Sequence, residues 1–390
     1  MNGFVMVKRS KKKLLITSRR TTPPFFVGGD SVSMYLWAKY LASKNYEVVW
    51  IGSYNEASDS LSVRNIYSIR GEITPFQIQK IGYKYQLHLE VEKRWYGVTY
   101  KDKNISIQWH LVNDSAQYSK VLQAILLEFQ PDAVITYLEG AIEAMDIINA
   151  GTVVPVFNVI HDMEAWQIPT LLVADYYGYD VIYVSNACER KYRLLLRHSK
   201  YKVIYPPFQK LIPDSSGEIL REKKYVTMIN PTIVKGSELL CKIIEKMPYV
   251  QFLVVKNWMS DDHMVNFSKY SNVSVISRQV RINDIYKQTK VLLVPSFWEE
   301  AFGRVIVEAA LEGVPTIGSN RGGIPEAIGT NGGSVLDYNN LDAWVKEIEK
   351  YLHNNRFQKI GRRARSNALR RFCGDKNLSK LENYVISQLK

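Results

Sequence analysis

A chain of 390 residues with 51 Lys and Arg against 38 Asp and Glu, a formal net charge of +13, is too long for one hydrophobic core and suits two domains of about 150 to 200 residues. With 46% hydrophobic and 23% charged residues, the composition excludes disorder for the bulk of the chain. Three scattered cysteines, Cys188, Cys241 and Cys373, form no Cys-x-x-Cys or His/Cys cluster, which argues against a disulfide framework or structural zinc and for a reducing, cytoplasmic setting. No run of about 18 apolar residues is present to span a bilayer, and the basic N-terminal stretch lacks the apolar core and cleavage site of a signal peptide.

In chain order, Lys8, Arg9, Lys11, Lys12, Lys13, Arg19 and Arg20 come before the first acid, Asp30. This reads most simply as a solvated tail leading into a strand. A second reading is attraction to anionic lipid at the inner face of the plasma membrane, worth about 1 kcal/mol per basic residue near the surface. Nucleic acid ranks last, because these residues fall in no RNA- or DNA-binding motif. Leu14 to Ser18 predicts the first strand. The Pro23-Pro24 and Gly28-Gly29 loop, a helix over 31–44 and a strand over 47–52 follow, the opening of a doubly wound sheet. Across 86–110, Leu87, Leu89 and Val91, then Val98 and Tyr100, then Ile105, Ile107 and Trp109 alternate as in hairpin strands. This region reads as a β-rich insertion on the acceptor side.

Helix–strand alternation then resumes, with helices over 115–129, 141–149 and 187–197 and strands over 133–137, 153–160, 180–184 and 202–205. Pro206-Pro207 breaks the pattern and marks a hinge, since proline cannot donate to a sheet ladder and restricts its neighbour. From Tyr225 a second α/β alternation predicts strands at 225–229, 250–255, 272–276, 291–295, 315–319 and 333–336. A last helix over 376–389 carries Leu378, Leu381, Tyr384, Val385 and Leu389 on one face. The chain therefore divides into residues 1–207, residues 208–371 and a C-terminal helix within 372–390.

The chemistry concentrates between Val291 and Ile328. A buried strand leads into an aromatic and acidic loop and then a helix from near Gly303. A second strand leads to Gly322-Gly323 and a helix opening at Pro325. This order aims two helix N-termini at the C-terminal edge of a parallel sheet, where free N–H groups and the positive helix end favour phosphate. Carboxylates are poor phosphate ligands, so Glu300 and Glu308 suit sugar hydroxyls on the same ligand. Were the span helical throughout, they would lie about 12 Å apart along the axis, the size of a ligand with a sugar at each end and phosphate between.

Each candidate also has a plainer reading. Glu308 lies between Val307 and Ala309 and could be an exposed helix position, but a charge on the buried side needs a partner. Lys235, before Gly236 at a helix start, could be a surface lysine, although a cation there is mildly unfavourable unless an anion binds. Asn230 could cap a turn, and Gly28-Gly29 could be only a turn. His161 ends an apolar strand and is followed by Asp162; a lone histidine is often structural.

These residues resemble the motifs of retaining glycosyltransferases with the GT-B fold, specifically family 4. The E-x7-E signature of that family reads here Glu300-Ala-Phe-Gly-Arg-Val-Ile-Val-Glu308. Asn230-Pro-Thr-Ile-Val-Lys235-Gly236 is similar to the loop after the first strand of its C-terminal domain, Gly28-Gly29 to its N-terminal glycine-rich loop, and Asn158-Val-Ile-His161-Asp162 to the segment that places a histidine beside the transferred sugar. The resemblance implies an α/β, GT-B architecture of two Rossmann-like domains facing each other across a cleft, the final helix returning to the first. It implies that Glu308 binds the ribose, Glu300 contacts the donor hexose, and backbone around Ala301, Phe302, Gly303 and Arg304 touches hexose and phosphates. Lys235 would neutralise the diphosphate, Gly29 would let backbone approach donor and acceptor, and His161 would hydrogen-bond the sugar. Many members have arginine where this chain has Asn230; Arg304, Arg278 and Arg321 are the candidate replacements.

The function implied is retaining transfer of a hexose from a nucleotide diphosphate sugar, UDP-glucose by default, to an acceptor hydroxyl. The acceptor would be a carbohydrate or lipid-linked, in bacterial cell-surface polysaccharide, exopolysaccharide or glycolipid synthesis. No cofactor and no metal is implied, and no Asp-x-Asp motif occurs. Two alternatives stand beside it: another enzyme on this fold, such as a sugar-nucleotide epimerase or a phosphorylase, and a basic, non-catalytic protein binding RNA or membrane.

Overall fold

The computed structural model describes residues 11–26, 28–54, 63, 67–69, 71–209, 223–256, 265–277 and 282–389. Lys8, Arg9 and Arg278 lie outside these. The first lobe is built on β1 (Lys12–Thr17), β2 (Tyr46–Ser53), β3 (Leu89–Arg94), β4 (Gly97–Asp102), β5 (Ile107–Val112), β6 (Ala133–Tyr137), β7 (Val156–Ile160), β8 (Asp180–Tyr183) and β9 (Tyr201–Val203). Their order across the sheet is β3-β4-β5-β2-β1-β6-β7-β8-β9. The pairs β1–β2, β1–β6, β6–β7, β7–β8, β8–β9 and β2–β5 are parallel, while β4 is antiparallel to β3 and β5. Leu14, Leu15 and Ile16 are wholly buried, as a strand covered on both faces must be, which is why it reads as an unbroken apolar run.

The 86–110 region is β-rich and joins the first sheet rather than forming a unit of its own. Ile107, Trp109 and Leu111 are buried, and β5 pairs in register with β2 from Val48↔Ile107 to Ser53↔Val112. The hairpin β3–β4 extends the edge of the same sheet. Hairpin alternation shows that a strand is half-covered, not which sheet it joins. The strand expected at 153–160 begins only at Val156, after Pro155, and Val153 is fully exposed. The helix expected over 187–197 stops at Tyr192 and continues as a 3₁₀ turn, Arg193–Leu195. Helices Pro75–Lys84 and Gln167–Tyr177 were not anticipated. Each carries a proline in its first turn, where the missing N–H breaks no intrahelical bond.

The second lobe carries β10 (Tyr225–Ile229), β11 (Phe252–Val255), β12 (Val273–Ile276), β13 (Thr289–Val294), β14 (Thr316–Ser319) and β15 (Gly333–Leu336) in the order β12-β11-β10-β13-β14-β15, all parallel. The final helix, Asp375–Gln388, packs on the first lobe. Leu381 and Val385 are buried, the Tyr384 ring lies 5.5 Å from that of Phe157, and Glu382 accepts from Tyr40 Oη at 3.1 Å. In both sheets the strand order reverses beside the first strand, between β1 and β6 and between β10 and β13. Such switch points open a crevice at the C-terminal strand ends. The two Rossmann-like lobes present these crevices to each other across a cleft.

Candidate functional site

The cleft has a volume of about 840 Å³ and is lined from both lobes. On the second-lobe wall, β10 runs into Asn230, whose backbone is left-handed at φ +57°, a conformation asparagine tolerates. The loop then reaches Lys235 and Gly236, which stands at φ +93° and caps helix Ser237–Lys246. A Cβ on Gly236 would lie 1.9 Å from Pro295 O, so only glycine lets this turn pack under the loop after β13. From that loop comes Glu300, which forms an ion pair with Lys235 Nζ; the ammonium also sits 5.6 Å from the Trp298 ring centroid. Gly322-Gly323 packs against the same loop, and Gly323 N–H donates to Glu300 O at 2.6 Å.

The Glu300-to-Glu308 span is not helical throughout. Glu300 and Ala301-Phe302 form a loop, Gly303 turns at φ +86°, and the helix is Arg304–Leu311. Glycine is a poor helix former and supplies the left-handed turn that starts this helix. No side chain caps that start, so its first N–H groups remain available to a ligand. Glu308, one turn in, pairs with Arg304 Nε at 3.3 Å and accepts from Tyr286 Oη at 3.4 Å. This is the partner that a charge on an otherwise apolar helix requires. Burial and then Glu308 push the Tyr286 hydroxyl well above its ordinary range.

The first-lobe wall is built from the loops after β1, β6 and β7. Arg20 pairs with Glu139 at 3.0 Å and with Asp30 at 3.7 Å. Arg19 binds Glu143 at 3.2 Å. Arg19 and Arg20 therefore do not belong to a solvated basic tail; they are fastened into the lobe. Gly28 precedes helix Gly29–Ser43 in extended backbone, not in a positive-φ turn. His161 follows β7 and lies against Trp37 and Tyr137, with ring centroids 6.1 and 5.8 Å away. Its Nε2 is shielded from solvent and has no hydrogen-bond partner among the described residues. Burial pushes its pKa down to about 4; Asp30 opposes this and Arg304 and Arg20 add to it. At neutral pH the ring is thus an uncharged donor and acceptor. Burial pushes neighbouring Asp162 up to about 6.

Several contacts join the walls. The buried Arg304 reaches from the second lobe to donate to Ser33 Oγ at 2.9 Å and Pro207 O at 3.0 Å, with its guanidinium 4.3 Å from the Phe208 ring centroid. A Cβ on Gly29 would lie 2.7 Å from Arg304 Cδ, so this glycine makes room for the arginine stem. Burial holds the Arg304 pKa below its ordinary value, and Glu308 opposes that shift. Lys191 pairs with Glu299. The Glu326 carboxylate accepts from Asn186 N at 3.0 Å and Ala187 N at 3.1 Å. It thereby supplies, from the second lobe, negative charge at the start of first-lobe helix Asn186–Tyr192.

Gly28, Gly29, His161, Asn230, Lys235, Glu300, Ala301, Phe302, Gly303, Arg304 and Glu308 all line the cleft. Of the cations considered in place of the family arginine, Arg304 lines it and Arg321 does not. Arg20, Glu139 and Trp298 also line it but were not singled out; Asp162, noted only as the neighbour of His161, lines it as well. Arg20 and Glu139 directly follow predicted strands of the first sheet, and that position was the signal that could have found them.

The family model described as glycosyl transferases group 1 matches residues 259–371. Spore coat protein SA of Bacillus subtilis (strain 168) is 27% identical over 221 residues, which is 50% of this chain and 59% of that protein's length. Among solved structures, sucrose-phosphate synthase (tll1590) from Thermosynechococcus elongatus matches with a TM-score of 0.70 and 14% identity, covering 97% of this chain and 99% of its own. Anabaena Alr3699/HepE in complex with UDP-glucose matches with a TM-score of 0.70 and 16% identity, covering 96% and 99%. These structural neighbours show the GT-B fold, and the match to the glycosyl transferases group 1 model falls within the second lobe of this chain.

Proposed function

We propose that the chain is a retaining family 4 glycosyltransferase that moves a hexose from a UDP-sugar, UDP-glucose by default, to a carbohydrate or lipid-linked hydroxyl in cell-surface polysaccharide or glycolipid synthesis. One observation carries the reading. A lysine, an uncapped helix start and two glutamates meet at the switch point of the second sheet, opposite an uncharged histidine on the first. The ammonium of Lys235 and the amides at Gly303 and Arg304 suit the charge that grows on a departing diphosphate, stabilisation aimed at the transition state and not the ground state. Glu308 suits the ribose hydroxyls and Glu300 the hexose. His161, neutral above about pH 4, suits a sugar hydroxyl. The lobes, already bridged by Arg304, keep water from the donor. Anabaena HepE was crystallised with UDP-glucose, which favours a uridine donor here.

The test is release of UDP from UDP-glucose in the presence of candidate acceptors, with the product anomer read by NMR. Glu308→Ala and Lys235→Ala should each cut turnover about 100-fold or more while circular dichroism stays unchanged; normal turnover in both would refute the assignment, and an inverted anomer would refute retention. No metal is needed in this scheme, so activity should be the same with and without EDTA. Conversion of the sugar without an acceptor would favour an epimerase instead.

A further inference from the structure

The solvent face of helix Gln167–Tyr177 carries no charge. Its exposed positions are Ile168, Pro169, Leu172 and Tyr176, with Leu172 50% and Tyr176 82% exposed. A surface helix ordinarily turns polar residues to water, and a contiguous apolar face marks an interaction site. Beside it runs a basic stretch. Asp175, next to Tyr176 on the helix, accepts from the N–H groups of Arg197, His198 and Ser199 at 2.8, 2.7 and 2.9 Å, which fastens residues 197–199 along one flank. Residues 190–202 around them include six Lys and Arg and no Asp or Glu; Lys191 is taken up by Glu299 and Arg193 pairs with Glu189, while Arg190 and Arg197 are exposed. Within that stretch, Leu194 is 85% exposed on the turn Arg193–Leu195, which packs against the helix.

We propose that this face docks the first lobe on an anionic lipid bilayer. The apolar side chains enter the boundary between headgroups and acyl chains while the basic flank meets lipid phosphates; affinity for such a surface grows with both. The apolar component sets this face apart from a nucleic-acid site, which phosphate contacts dominate. Trp166, at the start of the same helix, lines the cleft, so the docked face adjoins its mouth. For a lipid-linked acceptor this inference rests on the function proposed above; the docking itself does not.

The experiment is co-sedimentation of the full chain with vesicles of phosphatidylcholine alone or mixed with phosphatidylglycerol. The chain should sediment with the mixed vesicles only, less so as salt rises. Leu172→Ser/Tyr176→Ser/Leu194→Ser and, separately, Arg190→Glu/Arg197→Glu should each lower the partition about 10-fold or more. All these side chains are exposed, and thermal melts confirm that the variants fold. Equal sedimentation of the apolar triple variant and the parent overturns the proposal, as does failure of the parent to bind mixed vesicles. If the triple variant instead abolishes a concentration-dependent dimer in sedimentation velocity, the face joins two copies and the lipid assignment is wrong. Turnover with a water-soluble acceptor should be unchanged in the triple variant. A chain that binds vesicles but releases no UDP leaves the docking standing and removes the proposed function.

Discussion

The two switch points of this molecule are built alike and finished differently. In the first sheet Arg20, after β1, pairs with Glu139, after β6, at 3.0 Å. In the second, Lys235, after β10, pairs with Glu300, after β13. Equivalent topology has produced the same cation–glutamate corner twice. The second corner is rigid in its backbone: Gly236, Gly303 and Gly322 all stand at positive φ, and Cβ atoms on Gly236 and Gly322 would meet main-chain oxygen at 1.9 and 2.3 Å. The first corner has Gly140 at φ +80° beside Glu139, but Cβ atoms on Gly28, Gly29 and Gly140 would meet the side chains of Asp30, Arg304 and Arg19, not main chain. Polar pairing differs too. Lys235, Glu300 and Glu308 are all engaged, although Asn230 Oδ1 is not. On the first wall His161 Nε2, Asp30 Oδ2 and Glu139 Oε2 lack hydrogen bonds. A wall of fixed main chain and engaged charges suits a ligand of constant shape, such as a diphosphate sugar. A wall of adaptable side chains with spare hydrogen-bonding capacity suits the acceptor.

The comparison breaks most readily on the cations. Lys235→Ala should lower kcat about 10²- to 10³-fold, the usual loss for one donor to developing charge. Arg20→Gln should lower kcat/KM for the acceptor about 10- to 100-fold, in line with charge-assisted bonds worth about 1.5 to 3 kcal/mol, and leave the donor KM unchanged. Steady-state kinetics with both substrates varied checks this; equal losses would make the two walls equivalent.

The glycines sharpen it. Gly236→Ala forces a Cβ into Pro295 O at φ +93° and should destabilise by about 3 kcal/mol. Gly29→Ala meets only the Arg304 stem, at 2.7 Å, and should cost about 1 kcal/mol. Urea unfolding measures both.

The smallest net effect is that of pH on the parent, in which two residues oppose each other. With His161 near 4 in the folded chain, the unfolded chain binds the extra proton between about pH 4 and 6.5, so stability through this residue is complete above 6.5 and falls with acid. Asp162, near 6 when folded against an ordinary 3.8, acts oppositely: its contribution is present below about 3.8 and is lost as pH rises through 6. Relative to the parent, His161→Gln should gain stability as pH falls from 6.5 to 4, and Asp162→Asn should gain as pH rises from 4 to 6. Chemical denaturation across that range would show the opposed slopes.

The second sheet was legible because its strands are short apolar runs set off by Gly, Pro and Asn; β10, predicted at 225–229, falls on Tyr225–Ile229. Its wall was legible because glycines at forced backbone angles and a glutamate within an apolar helix are departures from local preference that need a cause. The first wall was less so. Arg20 and Glu139 are ordinary residues in sequence, and only the meeting of β1 with β6, residues more than a hundred positions apart, makes them a pair. The β5 strand likewise depends on a tertiary neighbour, β2, that no local alternation names. Arg304 was noted for its backbone at the donor site and as a spare cation; the bridge of its side chain to Ser33 and Pro207 crosses between lobes and leaves no local mark.

The Glu326 cap on helix Asn186–Tyr192 has a mechanical corollary. It lies where Tyr205, Phe208, Phe302 and Phe372 also interlock, with ring centroids 5.2 to 6.2 Å apart. Any swing of one half of the molecule on the other that spares this knot must pivot about it. Shears with such a rivet open widest at the far rim, so the jaws could part for product while the joint stays dry.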